Sequence, residues 1–213
     1  MNLFLSSMGV PSHLKGDLLS LFKKPANDIR LAYISTAAEV YPEDSREWER
    51  DALASLHATG IQTTPLDLKS FTNPEDLRKA LAQFDGVWVS GGHTYTLRYW
   101  MRQSGFDQII IPLLESGFVY TGYSAAAMVM GNTLELFDQF DPEDSEPLEP
   151  ERIYTALNLL PFAILPHWND GSPERESYTQ KTFDGFKTAN HPLQTITDEQ
   201  AIVIRDGGWK LVQ

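Results

Sequence analysis

The chain is 213 residues long, with 42% hydrophobic and 22% charged residues, and its 17 Lys and Arg against 29 Asp and Glu give a formal net charge of -12. So acidic a chain repels phosphate backbones and anionic lipids, and we therefore expect neither nucleic acid nor a membrane as a partner. The absence of cysteine excludes disulfides, thiolate metal sites and a cysteine nucleophile, which leaves serine as the expected covalent nucleophile.

The sequence gives no sign of a targeting segment or a membrane span. The opening MNLFLSSMG lacks the basic flank and the long apolar stretch of a secretory signal, and the later apolar runs are too short to cross a bilayer. No linker rich in Ser, Gly or Pro divides the chain. We therefore expect a cytoplasmic protein with a single α/β domain over residues 1–213.

Short β-rich apolar runs alternate with amphipathic helical windows. This pattern predicts an α/β fold, a doubly wound and mostly parallel sheet flanked by helices. Strands are predicted at residues 3–6, 30–35, 62–66, 86–89, 118–121, 163–165 and 201–204. The turn at 206–208 then leads into a strand at 209–212, which makes a short C-terminal β-hairpin.

Helices are predicted between these strands from their start signals and apolar faces. They fall at residues 12–22 and 44–59, after the N-cap Asn73, from near Tyr95 with Thr94 as N-cap, and within 174–188. The acidic segment 138–151 is interrupted by prolines and lacks the ligand spacing of a calcium loop. We therefore predict a solvated loop there and no metal site.

Ligands of open α/β sheets bind at the carboxyl ends of the strands, and Ser124 follows one such end in FVYTGYSAAAM. A nucleophile on a sharp strand-to-helix turn needs small neighbours two positions away on each side, and Gly122 and Ala126 satisfy this requirement. The turn alone is equally compatible with a packing serine or a helix N-cap.

A second candidate, Ser90-Gly91-Gly92-His93-Thr94, follows the strand at 86–89. Paired glycines let a backbone amide approach a ligand, so the N–H groups of Gly92 and Ala125 could form an oxyanion hole. A plain turn is the alternative. The chain lacks the glycine patterns of phosphate-binding loops.

A serine nucleophile needs a base and a carboxylate that orients it. His167, at the end of the apolar run 163–165, is the favoured base, and His93 beside the glycine loop is its rival. The orienting acid is Asp198, Glu199 or Asp138, and the sequence does not choose among them.

The motifs Y-T-G-Y-S-A-A-A, V-S-G-G-H-T and L-P-H together resemble peptidase family S51, which includes dipeptidase E and has a fold like that of class I glutamine amidotransferases. The resemblance extends from L-F-L-S-S at Leu3 to D-E-Q-A-I at Asp198. Two positions depart from the family pattern: Ala126 stands where the elbow usually has glycine, and His93 stands where the loop usually has asparagine.

The resemblance implies a cofactor-free serine peptidase with Ser124 as nucleophile, His167 as base and Gly92 and Ala125 as oxyanion donors, completed by a late carboxylate such as Glu199 or Asp198. It also implies a small peptide substrate, of the type of dipeptides with an N-terminal aspartate. Arg175 and Thr94 are the substrate-binding candidates, because arginine binds carboxylates bidentately and Thr94 belongs to the glycine loop.

Two further expectations follow. An isologous homodimer is the default for an oligomer of this kind. The alternative function, motivated by the departures at His93 and Ala126, is a catalytically silent, amidotransferase-like module that binds a small metabolite.

Overall fold

The computed structural model describes residues 1–138 and 149–213. The acidic loop predicted at 138–151 therefore lies largely outside the described residues. The strands are β1 (Asn2–Ser6), β2 (Arg30–Ile34), β3 (Gln62–Pro65), β4 (Gly86–Val89), β5 (Val119–Tyr123), β6 (Ala163–Leu165), β7 (Leu193–Thr195), β8 (Ala201–Arg205) and β9 (Gly208–Val212).

The main sheet has the order β3-β2-β4-β5-β1-β8-β9. Its first five strands are mutually parallel, whereas β8 runs antiparallel to β1 and pairs with β9 in the C-terminal hairpin. The predicted fold class, a mostly parallel sheet with a C-terminal hairpin, is confirmed. Strand β6 pairs in parallel with β7 in a separate two-stranded sheet, and the sequence analysis missed β7.

The helices are α1 (Lys15–Leu19), α2 (Glu47–His57), α3 (Pro74–Leu81), α4 (Thr94–Gln103), α5 (Phe106–Glu115), α6 (Ala125–Met128) and α7 (Pro173–Thr188). As predicted, Asn73 caps α3, and its Oδ1 accepts the N–H of Glu75 at 2.8 Å. No helix of the described residues is long and apolar enough to cross a membrane.

Two helix predictions were wrong in detail. The helix expected at 12–22 is only a 3₁₀ turn at Ser12–Leu14 followed by the short α1. Gly16, the second residue of α1, weakens helix propagation. Thr94 does not cap α4. His93 does, with its Nδ1 accepting the N–H of Thr96 at 3.2 Å.

The main sheet carries apolar packing on both faces. On β4, Val87 and Val89 belong to one core cluster and Trp88 to the other, because successive side chains of a strand point to opposite faces. This arrangement brings the carboxyl ends of β1, β4 and β5 to one edge of the sheet, where the next residues are Ser7, Ser90 and Ser124 respectively.

Candidate active site

Ser124 lies on the tight turn that joins β5 to α6. Its backbone has φ 52° and ψ -117°, in a region that residues other than glycine seldom adopt. The turn is held from both sides, since the Ser124 N–H donates to the carbonyl of Ser6 at 3.1 Å and the Ser124 carbonyl accepts the N–H of Ala127 at 2.8 Å. Strain of this kind persists only where the surroundings fix it, and it is concentrated at functional sites.

Small neighbours allow this turn to close. A Cβ atom at Gly122 would lie 2.7 Å from the Cβ of Ala126, and a Cβ atom at Gly91 would lie 3.0 Å from the Cβ of Ser124. Gly122 therefore provides the space that Ala126 fills. The methyl group at the position where the family pattern has glycine is accommodated inside the turn, with Ala126 fully buried.

The structure brings Ser124, His167 and Asp198 into one chain of contacts. The Oγ of Ser124 is 2.9 Å from Nε2 of His167, and Nδ1 of the same ring is 2.8 Å from Oδ1 of Asp198. A hydroxyl, an imidazole and a carboxylate linked in this order have the geometry of a nucleophile, its base and the group that orients the base.

Asp198 holds its charge because of its neighbours. Burial opposes ionisation, but the hydrogen bonds with His167 and Ser7 and the nearby charge of Arg175 outweigh it and hold the pKa of the Asp198 carboxyl below its usual value. A carboxylate that stays ionised can accept the imidazole N–H and stabilise an imidazolium.

The two other acid candidates do not contact His167. The side chain of Glu199 is 79% exposed, with its carboxylate 3.7 Å from Nδ1 of His13. Asp138 accepts hydrogen bonds from Arg152 at 2.9 Å and from Tyr154 at 3.2 Å. Of the three acids left open by the sequence, Asp198 is therefore the one that the fold places against the ring.

Ser7 was missed by the sequence analysis. Its buried hydroxyl donates to Oδ1 of Asp198 at 2.5 Å and accepts the backbone N–H of His167 at 2.7 Å. The sequence does show that Ser7 directly follows the predicted strand at residues 3–6. It does not show that this strand pairs with β5, and this pairing is what brings Ser7 to the site.

The amides of Gly92 and Ala125 are the two predicted oxyanion donors: Ala125 directly follows Ser124, and Gly92 lies in the loop after β4, the strand that pairs with β5. Gly92 has φ 127°, and a Cβ atom there would lie 2.2 Å from the carbonyl oxygen of Ala37, so only glycine fits. Within residues 1–138 and 149–213 its N–H makes no hydrogen bond. Ala125 is the first residue of α6, where a helix leaves its N–H without an intrahelical acceptor.

His93, the rival base, is engaged elsewhere. Its Nδ1 accepts from the backbone of Thr96 and lies 2.8 Å from the Thr96 hydroxyl, which itself donates to Glu149 at 2.6 Å. The His93 residue is only 7% exposed. His93 therefore serves as a buried helix cap, and His167 is the histidine that meets Ser124.

A cavity of about 470 Å³ opens over Ser124 and His167, a size common for small-ligand sites. Its wall combines aromatic and sulfur-containing side chains with Thr94 and the start of α7, and includes Met8, Tyr41, Trp48, Tyr123, Met128 and Tyr178. Both substrate-binding candidates, Thr94 and Arg175, line it.

Charge at this wall comes from α7. The Nη1 of Arg175 pairs with Oδ2 of Asp170 at 2.7 Å while its side chain remains 45% exposed. Glu174, the residue before it, also lines the cavity. In the described part of the chain no group of three or more His, Cys, Asp or Glu side chains is arranged to hold a metal ion.

Comparison with known proteins identifies the family of the chain. The model of "Peptidase family S51" matches residues 3–212. The chain is 32% identical over 193 residues to uncharacterized peptidase PM1590 of Pasteurella multocida (strain Pm70), covering 89% of each chain. It is 30% identical over 120 residues to peptidase E of Shewanella denitrificans, covering 56% of this chain and 48% of that protein.

A solved structure shares the fold. A crystal structure from Listeria monocytogenes EGD-e, provisionally described as a peptidase E protein, superposes with a TM-score of 0.80 at 23% identity, over 100% of this chain and 98% of the other.

Proposed function

Because this chain belongs to peptidase family S51 and is a peptidase, we propose that it hydrolyses small peptides through an acyl-enzyme on Ser124. One observation carries the proposal: the 2.9 Å approach of Ser124 Oγ to His167 Nε2, continued by the 2.8 Å contact of His167 Nδ1 with Asp198. Serine is the nucleophile type of this family, and the chain has no cysteine to replace it.

In the first step, Oγ of Ser124 attacks the carbonyl carbon of the scissile peptide bond while Nε2 of His167 removes the hydroxyl proton. The carbonyl oxygen becomes an oxyanion, which the N–H groups of Gly92 and Ala125 would stabilise. His167 then gives its proton to the departing amine, and the C–N bond breaks to leave an ester on Ser124.

In the second step, a water molecule loses a proton to His167 and attacks the ester. The same donors hold the second oxyanion, and the proton returns to Ser124 as the peptide acid leaves. Asp198 takes no proton in either step. It keeps the imidazole N–H on Nδ1, so that Nε2 is free to act as a base, and it stabilises the imidazolium.

We propose a dipeptide with an N-terminal aspartate as the preferred substrate. The cavity wall offers a guanidinium at Arg175 for the side-chain carboxylate and a carboxylate at Glu174 for the α-ammonium. Asp170 holds the Arg175 guanidinium in place. Thr94, the first residue of α4, lines the same cavity and would contact the substrate backbone.

A fluorophosphonate probe tests the nucleophile. We expect wild-type protein to gain one probe mass on the peptide containing Ser124, and Ser124→Ala to gain none. Undiminished labelling of Ser124→Ala would reject the assignment. If the wild type takes up no probe and cleaves no member of a dipeptide panel, yet a dipeptide raises its Tm, the catalytically silent binding module is the better description.

A further inference from the structure

The hydroxyl of Ser7 touches two of the three groups proposed for catalysis. It accepts the backbone N–H of His167 at 2.7 Å, donates to Oδ1 of Asp198 at 2.5 Å, and lies 3.3 Å from Nδ1 of His167. Ser7 has no exposed surface. It stands at the end of β1, in the segment L-F-L-S-S whose role the serine mechanism leaves unexplained.

We propose that Ser7 is a positioning residue that fixes the orientation and the proton arrangement of the His167–Asp198 pair. The inference rests on the proposed function, since it concerns the base and the acid of that mechanism. Ser7 does not itself line the cavity, and within the described residues its hydroxyl makes no hydrogen bond to Ser124, so it would act through His167 and Asp198.

The proton count of the hydroxyl supports this role. A serine hydroxyl has one proton to donate and two lone pairs to accept with. Asp198, as a carboxylate, can only accept, so the Ser7 hydroxyl uses its single proton in the 2.5 Å hydrogen bond to Asp198. The backbone N–H of His167 donates to one of the two lone pairs of the Ser7 oxygen. The Ser7 proton is therefore not available to Nδ1 of the imidazole.

This arrangement selects the ring tautomer. Because Nδ1 faces Oδ1 of Asp198 at 2.8 Å, it must carry the proton, and the neutral ring then has a bare Nε2 directed at Ser124. Were Asp198 to rotate away, the Ser7 hydroxyl could donate to Nδ1 and the proton would move to Nε2, where it blocks the base. Ser7 keeps Asp198 from doing so.

The same hydroxyl anchors the main chain of the base. His167 has φ 59°, a conformation that costs energy for a residue with a side chain. Its N–H points to Ser7 rather than to a neighbouring strand, and Trp168 continues with a hydrogen bond to Ile196 at 3.1 Å. Ser7 thus fixes the backbone position from which the His167 side chain extends.

The test compares wild type, Ser7→Ala, Ser7→Thr and the control Ser104→Ala. Ser104 is equally buried and donates to Trp100 at 2.7 Å in α4, without contact to His167 or Asp198. The measured quantity is the second-order rate of fluorophosphonate labelling across a pH series, which requires an activated serine but no knowledge of the natural substrate. Thermal unfolding of each variant reports whether it folds.

We expect Ser7→Ala to fold and to be labelled about 10- to 100-fold more slowly at neutral pH, the range for losing a hydrogen bond to a charged group. Its pH profile should also differ from that of the wild type at the acid end, because the Asp198 carboxyl loses one of the hydrogen bonds that lower its pKa. Arg175 is the other charged group acting on Asp198 and is unchanged in this series. Ser7→Thr, which keeps the hydroxyl, and Ser104→Ala should match the wild type.

Equal labelling rates and superimposable pH profiles for wild type and Ser7→Ala would overturn the proposal. Nitrogen NMR of histidine-labelled protein gives a second readout that needs no activity: the ring resonances lost in His167→Gln should report the Nδ1–H tautomer in wild type and a mixture in Ser7→Ala. A wild type that takes up no probe would contradict the Ser124 mechanism instead, and the tautomer measurement would still decide the role of Ser7. Should Ser7→Thr fail to fold, the Ser7→Ala comparison stands without it.

Discussion

Nδ1 of His167 lies 2.8 Å from Oδ1 of Asp198, whereas the very next side chain in sequence, Glu199, is 79% exposed and directed at His13. Both residues lie in the turn before β8, which is closed by the N–H of Gln200 donating to the carbonyl of Thr197 at 3.0 Å, and within this turn one position separates a half-buried acid from a solvated one. By residue type, the family resemblance favoured a glutamate as the acid that orients the base. The fold places an aspartate there.

Asp198→Asn should therefore abolish most of the activity. The amide can donate a hydrogen bond to Nδ1 and so favour the tautomer that protonates Nε2, and we expect kcat to fall by about 10³- to 10⁴-fold, as in other serine triads. The fall in kcat is measured by steady-state hydrolysis of an aspartyl dipeptide. Glu199→Gln is the matched control and should leave kcat/KM near the wild-type value; an equal loss in both variants would contradict the assignment.

Gly92→Ala should disrupt the loop that carries the proposed oxyanion donor. A methyl group there would meet the Ala37 carbonyl oxygen at 2.2 Å, at a φ of 127° that alanine avoids, so the loop must shift and the amide with it. We expect kcat to fall by about 10²-fold or more, the scale for one lost donor. Gly16→Ala, where a Cβ atom meets nothing within 4 Å, is the control and should remain fully active.

Exchanging the two small residues of the serine turn tests why Ala126 is tolerated. Gly122→Ala would place its Cβ 2.7 Å from that of Ala126, and we expect the variant to unfold at lower temperature and to lose activity. In the double variant with Ala126→Gly, that contact is gone, and part of the lost Tm should return. The single Ala126→Gly should remain active and lose about 1 kcal/mol of stability, the usual cost of glycine in a helix. A double variant no more stable than Gly122→Ala would show that the 2.7 Å contact is not the cause.

Arg175 should act on substrate binding more than on the chemical step. Replacing it with methionine removes the guanidinium but keeps much of the side-chain length, and we expect KM for Asp-X dipeptides to rise by about 10-fold or more with a smaller change in kcat. Ala-X dipeptides, which lack the side-chain carboxylate, are the matched control and should show little change. If KM rises equally for both dipeptide series, Arg175 does not read the aspartate side chain.

Much of this architecture follows from the sequence because local patterns determine it. The strands β4 and β5 and the turn at Ser124 were predicted from apolar runs that end at small residues, and both strands lie in the centre of the sheet. Their carboxyl ends must then share an edge. The strand β7 was missed because its sequence, Leu-Gln-Thr, is too short to show an alternation of apolar and polar side chains. All three residues are only partly buried.

The contacts that complete the site depend on pairings between distant segments. Ser7 reaches His167 across 160 positions and Asp198 across 191, and only the neighbour relations of β1 with β5 and β8 bring them together. The cap of α4 shows a local ambiguity of another kind. Both His93 and Thr94 can accept a backbone N–H, and the sequence rule favours threonine, but His93 is the residue that holds the position.

The lowered pKa of Asp198 predicts a pH-dependent contribution to stability. The carboxylate binds protons less readily in the folded chain than in the unfolded one, so it stabilises the fold above its ordinary pKa of about 3.9, and this contribution is lost as the pH falls through and below that value. The free energy of unfolding, measured by urea denaturation in a pH series, should therefore differ most between wild type and Asp198→Asn near neutral pH. The difference should shrink towards acid pH. Ser7→Ala, which removes one of the two hydrogen bonds that lower this pKa, should fall between them. A gap between wild type and Asp198→Asn that stays constant with pH would mean that the asparagine acts through packing alone and that the ionised carboxylate does not contribute to the stability of the fold.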